Sequence, residues 1–599
     1  MTPNEAPATT NYYALSSPAG QERKATLGAA LKRLVPLMAD ERRNVAIAVG
    51  AMLTSSLSGL LGPVIIGRAV DTDVRVGNFG GVLQWAAILL AIYLVGLVSS
   101  YVQTQTMGRV GRQVLYKLRN AIFTKLQQLP LDFFNQNKAG DLISRINNDT
   151  DKLNVFFAQS LMQFASNLFF MTGAAIFILT LNARLGLAAL APAVGVLVVT
   201  QLLSAWVKHK NLASLQSLGG MSAEIQESIN NFKVIVAFNR LDYFRDKFHE
   251  ANADNYKAAV SAGIAQNVFN PIYTLASSLA QVIVLAYGIA LIASGNFTVG
   301  LLIGFLLYVN SFYMPLRQLA SVWPSLQLAL AGLDRISEVL ALSSNINVVP
   351  QEKAAAAKMS PAIIEFENVF FRYSDGKDVL KNINFSLLPG KTYALVGPTG
   401  GGKTTTASLM ARLYDPTGGT VYLEGRDIRT YEPAERVKKI GFILQDPFLF
   451  NGTVRENILY GNEEHQNYTN DELLAVLAKE HLTALLARFS GGLDTMIVAG
   501  GDAVSLGQKQ LIAFIRATLR NPDILILDEA TANIDTVTEK LLQDIINELP
   551  AKTTKVVIAH RLNTIANADE ILFVNGGAVT PAGSMEHAVE LLMHGHRQS

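Results

Sequence analysis

Residues 397–404 read Gly397-Pro398-Thr399-Gly400-Gly401-Gly402-Lys403-Thr404. This segment matches the phosphate-binding pattern G-x-x-x-x-G-K-[ST] in full, and it follows an apolar run that predicts a strand and precedes a helical stretch. Glycines let backbone N–H groups close around phosphate oxygens, and a helix N-terminus adds a favourable dipole. We therefore expect Lys403 to pair with the β- and γ-phosphates of a nucleotide and Thr404 to bind Mg²⁺. A glycine-rich turn without a ligand is the alternative.

A second motif, Ile524-Leu-Ile-Leu-Asp528-Glu529, is an apolar run that ends in two carboxylates. Asp528 at the end of a strand suits a position bound to Mg²⁺, often through water. Glu529 is one residue further along and points differently, which makes it the natural general base for an attacking water. A strand that ends on solvated acids is the alternative, and it is weak when a complete phosphate loop precedes it.

The composition indicates that part of the chain does not face water. Half of its 599 residues are hydrophobic and only 16% are charged, whereas a soluble domain has about 25% charged residues. The net charge of +2 offers no basic excess that would bind nucleic acid. There are no cysteines, so disulfides, thiolate metal sites and cysteine nucleophiles are excluded.

Six stretches are long and apolar enough to cross a membrane, which takes about 20 residues each. None of them contains Lys, Arg, Asp or Glu, and a buried soluble helix is a poor explanation for all six. They run approximately over Asn44–Ile66, Val82–Met107, Val155–Leu181, Leu185–Val207, Val268–Ala293 and Phe297–Leu316.

The basic residues indicate which loops are cytoplasmic. The N-terminal segment and the loops after the second and fourth spans carry 21 Lys and Arg residues, and the three alternate loops carry 3. By the positive-inside rule the N-terminus, both long loops and the C-terminal half are cytoplasmic. The long loops have helical periodicity, so we expect the spans to continue as helices into the cytoplasm.

The charge distribution changes near residue 340, where alternating apolar and charged stretches give way to evenly spread charge. We predict a disordered leader over 1–25, a six-span transmembrane domain over 26–340, a linker over 341–361 and an α/β domain over 362–599. Residues 1–21 are polar and have no apolar core, so they do not form a signal peptide.

Five further motifs flank the phosphate loop: Phe371-Arg-Tyr373, Ile443-Leu-Gln445, Val504-Ser505-Leu506-Gly507-Gln508, Ala532-Asn-Ile-Asp535 and Ile558-Ala-His560. With the six spans, their order resembles an ABC transporter half of the exporter type, with the membrane domain first. The resemblance extends roughly from Leu27 to the C-terminus. It implies an all-α six-helix transmembrane domain with long cytoplasmic helix extensions, followed by an α/β P-loop ATPase domain. It also implies ATP and Mg²⁺ as cofactors.

The resemblance implies a role for each motif. Tyr373 would stack on adenine, Gln445 would link Mg²⁺ and the attacking water to the membrane domain, and His560 would contact the γ-phosphate. The signature segment would grip ATP bound to the other subunit, and Asp535 would lie in a loop that communicates between the two sites. The implied residues are catalytic Glu529, His560 and Gln445; the ATP contacts Tyr373, Gly397, Thr399, Gly400, Gly402, Lys403, Thr404, Thr405, Ser505, Gly507, Gln508 and Asp535; and the Mg²⁺ ligands Thr404, Gln445 and Asp528.

The two long loops also match the family. Leu129-Pro-Leu-Asp-Phe-Phe134 with Gly140-Asp141-Leu-Ile-Ser-Arg145 resembles the first cytoplasmic loop, and Glu227 to Phe238 resembles the second. The resemblance implies short helices at the tips of both loops, pressing on the ATPase domains.

One position departs from the family pattern. The usual signature is L-S-G-G-Q, but Leu506 replaces its first glycine, at a place where glycine permits close approach of the backbone. In a head-to-tail dimer, this chain would supply the catalytic groups of one site and a weakened signature to the other. We therefore expect a heterodimer whose second half carries the better signature. A homodimer that tolerates the leucine is the alternative.

The expected function is export of hydrophobic or amphipathic compounds, either drugs or lipids, through the cytoplasmic membrane. The spans hold no charged side chain that could neutralise a charged ligand, but their aromatic and amide groups could line a pocket or simply pack helices. These groups are Tyr93, Phe164, Phe170, Tyr273, Tyr287, Phe305, Tyr308, Asn310, Phe312 and Tyr313. An importer on the same fold and an ATP-gated channel or regulatory subunit are the alternatives. The partners would be a second half-transporter, the bilayer and a small amphipathic substrate.

Overall fold

A computed structural model describes residues 13–15, 35–343, 348–373, 376–498, 504–528, 536–558, 568–583 and 585–594. Contacts divide the chain into two compact units. The helical unit comprises Pro18–Phe123 and Ile143–Leu340, and the sheet unit comprises Met1–Ser17, Thr124–Leu142 and Ala341–Ser599.

Six helices among the described residues are long and apolar enough to cross a membrane, as the sequence predicts. They are Pro36–Val74, Phe79–Gln127, Ala139–Leu181, Ala183–Asn230, Leu241–Ala293 and Val299–Ala341. Each is longer than the apolar stretch within it, which confirms that the spans continue as helices beyond the apolar region. The chain is therefore a multi-pass membrane protein.

Several of these helices change their winding along their length. The first combines a 3₁₀ turn, Val35–Glu41, with an α-helix, Arg42–Ala69, and a π turn, Val70–Val74. The third combines the segments Ala139–Ser144, Arg145–Asp149 (π), Thr150–Val155, Phe156–Ser160 (π) and Leu161–Leu181. The fifth is divided between Leu241–Asn267 and Phe269–Ala293, and a short helix, Phe232–Ala237, precedes it.

The first and sixth spans approach each other closely at one end. A Cβ atom on Gly300 would lie 2.0 Å from the carbonyl oxygen of Gly67, so only glycine fits there. The carboxylate of Asp71 accepts a hydrogen bond from the Gly300 N–H at 2.8 Å and another from the Thr298 hydroxyl at 2.5 Å. Asp71 therefore satisfies the open N-terminus of the sixth span.

A buried ion network joins the third and sixth spans. The Arg145 guanidinium, which is 0% exposed, donates to Glu338 and to the carbonyl oxygen of Arg335, both at 2.7 Å. Asp149 is also fully buried, and its carboxylate lies 3.2 Å from Arg335 and 2.8 Å from Lys152. Because each buried charge has an opposite charge beside it, the network can persist away from water.

The sheet unit contains two main sheets. The larger has the order β12-β11-β3-β10-β9-β6, and every pairing in it is parallel except that of β12 with β11. The smaller, antiparallel sheet has the order β2-β1-β4-β5, and β7 pairs with β8 alone. The strands are β1 Ile364–Arg372, β2 Asp378–Leu387, β3 Thr392–Val396, β4 Gly418–Leu423, β5 Arg426–Asp427, β6 Ile440–Ile443, β7 Gly452–Thr453, β8 Met496–Ile497, β9 Ile524–Asp528, β10 Thr554–Ile558, β11 Glu570–Asn575 and β12 Ala578–Pro581.

Helices cover the sheets and complete the α/β fold that the sequence predicts. One helix begins directly after the phosphate loop, and β9 is buried along its whole length, as expected of a strand inside a parallel sheet. The helices are Lys403–Met410, Pro433–Lys439, Val454–Ile458, Asn470–Lys479, Thr483–Leu486, Leu506–Thr518, Thr536–Glu548 and Met585–His594.

The tip of the first cytoplasmic loop belongs to the sheet unit. It forms a short helix, Leu131–Gln136, which we call the first tip helix, and Phe133 within it is fully buried. The second cytoplasmic loop also has a short helix at its tip, Phe232–Ala237, which belongs to the helical unit. The prediction of a helix at each loop tip is therefore confirmed.

Three residues of the segment expected to form a disordered leader, residues 13–15, are described by the structure and make contacts with the loop tip. Asn137 donates a hydrogen bond to the carbonyl oxygen of Tyr13 at 2.8 Å and accepts one from the Leu15 N–H at 3.1 Å. The Tyr13 ring is only 4% exposed and meets Phe133 edge to face at 6.5 Å. A buried ring and two backbone hydrogen bonds outweigh the polar composition of this segment.

Candidate nucleotide-binding site

The parallel strands of the larger sheet bring three predicted motifs to one edge. The phosphate loop follows β3, Asp528 ends β9, and Gln445 lies two residues beyond β6. In the ladders, Asp528 pairs with Ile558 of β10, and Leu527 pairs with Ile443 of β6. Because the carboxyl ends of parallel strands meet at the same edge, this edge is where a ligand of such a sheet binds.

The glycines of the phosphate loop have two separate functions. Gly397, Gly400 and Gly402 have positive φ angles of 154°, 81° and 111°, which side chains rarely adopt. Gly401 has an ordinary φ, but a Cβ atom on it would lie 2.6 Å from the carbonyl oxygen of Val574 on β11. The loop therefore needs glycine for its conformation and also for its close contact with the neighbouring strand.

Lys403 is held by its own loop. Its ammonium group donates to the carbonyl oxygens of Gly397 at 2.9 Å and Pro398 at 3.1 Å, and the side chain is almost completely buried. The loop thus positions this cation beside its own backbone, while Thr399 and Gly400 at the crest of the loop are exposed. An exposed crest with a lysine beneath it suits the binding of a polyphosphate.

Thr404 and Asp528 form the strongest candidate for a Mg²⁺ site. The Thr404 hydroxyl donates to a carboxylate oxygen of Asp528 at 3.4 Å, and Asp528 is 2% exposed. Hydroxyl and carboxylate oxygens are ligands that Mg²⁺ accepts, usually together with substrate phosphates and water. Within the described part of the chain, no group of three or more His, Asp or Glu side chains could hold a metal by itself. A site completed by phosphate oxygens fits this donor set.

Tyr373 lies beside the phosphate-loop helix. Its hydroxyl forms a hydrogen bond with the Thr405 hydroxyl at 3.0 Å. Its ring meets Phe371 at 4.8 Å and Tyr414 at 5.5 Å, in both cases edge to face. The structure thus places an aromatic ring, the kind of group on which a nucleotide base stacks, beside the phosphate-loop helix.

The signature segment opens a helix, Leu506–Thr518. Ser505 caps this helix, because its hydroxyl accepts from the Gln508 N–H at 3.2 Å while the Gln508 side chain accepts from the Ser505 N–H at 3.0 Å. The Gln508 amide also donates to the carbonyl oxygen of Arg488 at 2.8 Å. These contacts of Gln508 stabilise the cap, and Ser505 remains exposed beside the helix N-terminus.

Three predicted residues, Glu529, Asp535 and His560, lie outside the described residues. Gln445 is exposed at the edge of the sheet. The structure thus places Thr404, Thr405, Lys403 and Asp528 around one loop, with Tyr373 beside them and Ser505 at the start of a separate helix.

Tyr414, which packs against Tyr373, is a residue of this site that no sequence motif indicated. It belongs to the segment Arg412-Leu-Tyr414-Asp-Pro, directly after the phosphate-loop helix. An aromatic residue close in sequence to a phosphate loop was the available signal, but sequence alone does not indicate which ring it meets.

Most of the buried aromatics that could have lined a substrate pocket instead pack helices together. The Tyr308 hydroxyl donates to the carbonyl oxygen of Leu60 at 2.6 Å, and the Tyr313 hydroxyl donates to that of Ala189 at 2.9 Å. Phe305 is fully buried, whereas Tyr93 and Asn310 are exposed in the single chain. The latter two remain available to a substrate, to lipid or to a second subunit.

Two family models match the chain. One, described as an ABC transporter transmembrane region, matches residues 45–316, and the other, described as an ABC transporter, matches residues 380–532.

Similar proteins extend over almost the whole chain. An uncharacterized ABC transporter ATP-binding protein, YfiC, of Bacillus subtilis is 32% identical and covers 93% of this chain and 92% of its own length. A fatty acid ABC transporter ATP-binding/permease protein of Mycobacterium tuberculosis is 32% identical over 90% of this chain and 83% of its own length. A multidrug resistance ABC transporter ATP-binding and permease protein of Lactococcus lactis is 28% identical over 95% of both chains.

Proposed function

Because this chain belongs to the ABC transporter family, as an exporter-type half-transporter that couples ATP hydrolysis to transport, we propose that it exports hydrophobic or amphipathic compounds across the cytoplasmic membrane. The single observation that carries the proposal is the pairing of Thr404 with Asp528 below a formed phosphate loop, in a chain with six apolar spans. The alternating charge of the loops supports a cytoplasmic ATPase domain.

ATP would lie along the carboxyl edge of the larger sheet. Lys403 would exchange the carbonyl oxygens of Gly397 and Pro398 for oxygens of the β- and γ-phosphates, and Tyr373 would stack on adenine. Thr404 and Asp528 would hold Mg²⁺, with Gln445 nearby, and the bound ion would supply charge neutralisation on the phosphates.

Glu529 would act as the general base. It follows Asp528 directly, so it would face the water that attacks the γ-phosphate and accept its proton. His560 would contact the γ-phosphate from the end of β10, and Gln445 would orient the water. Closure of two ATPase domains around ATP would turn the spans from inward-open to outward-open, and hydrolysis would reset them.

The second half-transporter is proposed to be a different chain. The exposed Ser505 and the helix N-terminus that it caps would meet ATP bound to the partner, because an N-terminal helix end favours a phosphate. Leu506, the first residue of that helix, adds a side chain where the family pattern has none. We therefore propose that this chain provides one complete catalytic site and a weakened signature to the other.

Co-purification tests this pairing. A tagged chain isolated from its native membrane with mild detergent should bring down a second, different half-transporter in about equal amount. Recovery of tagged and untagged copies of this chain alone would establish the homodimer instead.

Two lines of support indicate the substrate class. The apolar stretches of the six membrane helices hold no charged side chain, so a strongly charged ligand would lack a counter-ion within those stretches. Two relatives are named for fatty acids and for multidrug resistance, and both classes of compound are apolar or amphipathic. The bacterial relatives also support a location in the cytoplasmic membrane.

The direction of transport is tested in inside-out vesicles that contain the assembled transporter. ATP added outside should drive a fluorescent fatty acid or a cationic amphipathic dye into the lumen, and the Lys403→Ala variant should not. ATP-driven loss of a preloaded compound from such vesicles would indicate an importer. An ionic current that persists with a non-hydrolysable ATP analogue would indicate a channel.

A further inference from the structure

The first tip helix contacts the aromatic cluster beside the phosphate loop through a polar pair. The side-chain amide of Asn135 donates a hydrogen bond to the Tyr414 hydroxyl at 2.8 Å. The two residues are 279 positions apart in sequence, and both belong to the sheet unit. The tip helix follows Gln127, the last residue of the second span, by only a short turn.

Tyr414 in turn determines how the Tyr373 ring can lie. The rings of Tyr414 and Tyr373 stand at 90° to each other with centroids 5.5 Å apart. Phe371 contacts both rings, at 4.8 Å from Tyr373 and 5.5 Å from Tyr414. The Tyr373 ring is therefore held by the hydrogen bond between its hydroxyl and that of Thr405 and by edge-to-face packing with Phe371 and Tyr414.

The segment that carries Tyr414 is rigidly attached to the phosphate-loop helix. Arg412, which is 2% exposed, binds Asp415 at 2.9 Å, and the Leu413 N–H donates to the carbonyl oxygen of Ser408 at 2.9 Å. Burial also raises the pKa of the Tyr414 hydroxyl, so this group stays protonated at neutral pH. It can therefore either accept a hydrogen bond or donate one.

The tip helix is held equally well on its other side. Phe133 of the tip helix is buried, and its ring meets that of Tyr13 edge to face at 6.5 Å. The contacts of Asn137 with Tyr13 and Leu15 add a second attachment. Asn135 is thus presented to Tyr414 by a helix that cannot turn freely.

We propose that Tyr414 is a positioning residue, which links the orientation of the adenine-stacking ring of Tyr373 to the first tip helix through its hydrogen bond with Asn135. The inference rests on the proposed stacking role of Tyr373. Neither Tyr414 nor Asn135 has to touch ATP, yet each affects its apparent affinity, because the ring that meets the base is oriented by this contact. In turn, stacking of a base on Tyr373 affects the tip helix through the same hydrogen bond.

The test is a double-mutant cycle on the assembled transporter in proteoliposomes, with the KM for ATP as the readout. Tyr414→Phe keeps the ring and removes the hydroxyl, and Asn135→Leu removes the donor at nearly the same size. Each should raise the KM for ATP about 3- to 10-fold, as expected for the loss of one hydrogen bond. The double variant should show no more than the larger single effect.

Two further variants separate positioning from general damage. In a Tyr373→Ala background, Tyr414→Phe should have no additional effect on the KM, because its influence passes through the Tyr373 ring. Asn135→Asp should stay close to wild type, since the Tyr414 hydroxyl can donate to a carboxylate. Tyr431→Phe is the matched control, because it removes another buried tyrosine hydroxyl, which donates to the carbonyl oxygen of Leu423 at 2.8 Å.

An unchanged KM in either single variant would overturn the proposal. Additive effects in the double variant, or a Tyr414→Phe effect that persists without the Tyr373 ring, would also overturn it. Failure of the proposed function looks different, because the wild-type transporter itself would then show no ATP hydrolysis that depends on Lys403. A thermal unfolding scan of each variant confirms that a folded protein is compared.

Discussion

The hydroxyl of Thr404 and the carboxylate of Asp528 lie 3.4 Å apart, although 124 residues separate them in the sequence. Thr404 lies in the first turn of the phosphate-loop helix and Asp528 is the last residue of β9, so the parallel sheet brings them to the same edge. Neither residue is a metal site alone. We propose that, together with phosphate oxygens, they form a ligand set for Mg²⁺.

The first prediction concerns this pair. Asp528→Asn keeps the size of the side chain and its bond with Thr404 but removes the negative charge. The Mg²⁺ concentration that gives half-maximal ATP hydrolysis should rise by about 10- to 100-fold. A Mg²⁺ titration of the hydrolysis rate measures this shift, and Asp378→Asn, on an exposed strand of the same unit, is the control. An unchanged titration would remove Asp528 from the metal site.

The second prediction concerns Gly401 and the strand beside it. In Gly401→Ala the new methyl group would lie 2.6 Å from the Val574 carbonyl oxygen, so the phosphate loop would have to shift. We expect ATP binding to weaken at least 10-fold and the ATPase domain to lose about 1–3 kcal/mol of stability. Binding of a fluorescent ATP analogue and thermal unfolding measure the two effects.

Gly219→Ala is the matched control for that substitution. Gly219 lies inside the helix Ala183–Asn230, and a Cβ atom there would meet nothing within 4 Å. Because alanine favours a helix, this variant should be neutral or up to about 1 kcal/mol more stable. Equal damage from both substitutions would show that the contact with Val574 is not the cause.

The buried Arg145 and its partly exposed partner Glu338 give the third prediction. Glu338→Leu removes the carboxylate that the fully buried Arg145 guanidinium binds at 2.7 Å, which should destabilise the transmembrane domain by about 2–4 kcal/mol. The double variant with Arg145→Met should recover most of that loss, because it removes the buried charge as well. Asp242→Ala breaks the exposed pair with Arg245 and should change stability by less than about 1 kcal/mol. Thermal unfolding in detergent measures all three, and a double variant worse than Glu338→Leu would contradict the account.

The fourth prediction is a dependence of stability on acid pH. Burial would raise the pKa of Asp427, but hydrogen bonds from the Arg429 side chain and backbone outweigh it and hold the pKa below its ordinary value of 3.8. A carboxyl whose pKa is lowered by folding stabilises the folded state above its unfolded pKa. That stability is lost as the pH falls through the folded pKa.

The corresponding variant is Asp427→Asn. It should lower the free energy of unfolding of the ATPase domain at pH 7. Below about pH 4, the free energy of unfolding of the variant should decrease less with falling pH than that of the wild type. Denaturant unfolding at pH 7 and at steps down to pH 2.5 measures this change. If the free energy of unfolding of the variant falls as steeply at acid pH as that of the wild type, another carboxyl group controls the acid dependence. The exposed Asp494 supplies the control substitution, Asp494→Asn.

The sequence correctly predicted the features that depend on residues close together in the chain. The length of each apolar stretch identifies the membrane spans, because a helix needs about 20 residues to cross a bilayer. The phosphate loop follows β3 because its glycines and the strand before it are adjacent in the chain.

The features that the sequence did not reveal depend on contacts between distant segments. Asn135 meets Tyr414 across 279 positions, and Asn137 meets Tyr13 across 124 positions. No periodicity encodes which side chains meet when a loop tip packs on a sheet. The segment around Tyr13 has the composition of a disordered leader, and only the buried site beside Phe133 makes its order favourable.

The most direct test of the central claim is the Glu529→Gln substitution in the assembled transporter, with nucleotide binding, hydrolysis and flux measured on one preparation of proteoliposomes. The variant keeps the phosphate loop, Thr404 and Asp528, so it should bind MgATP as tightly as the wild type. Without its general base, this chain's site should lose at least about 100-fold in hydrolysis, and ATP-driven export of the amphipathic substrate should stop. Undiminished steady-state hydrolysis, with transport continuing, would contradict the account.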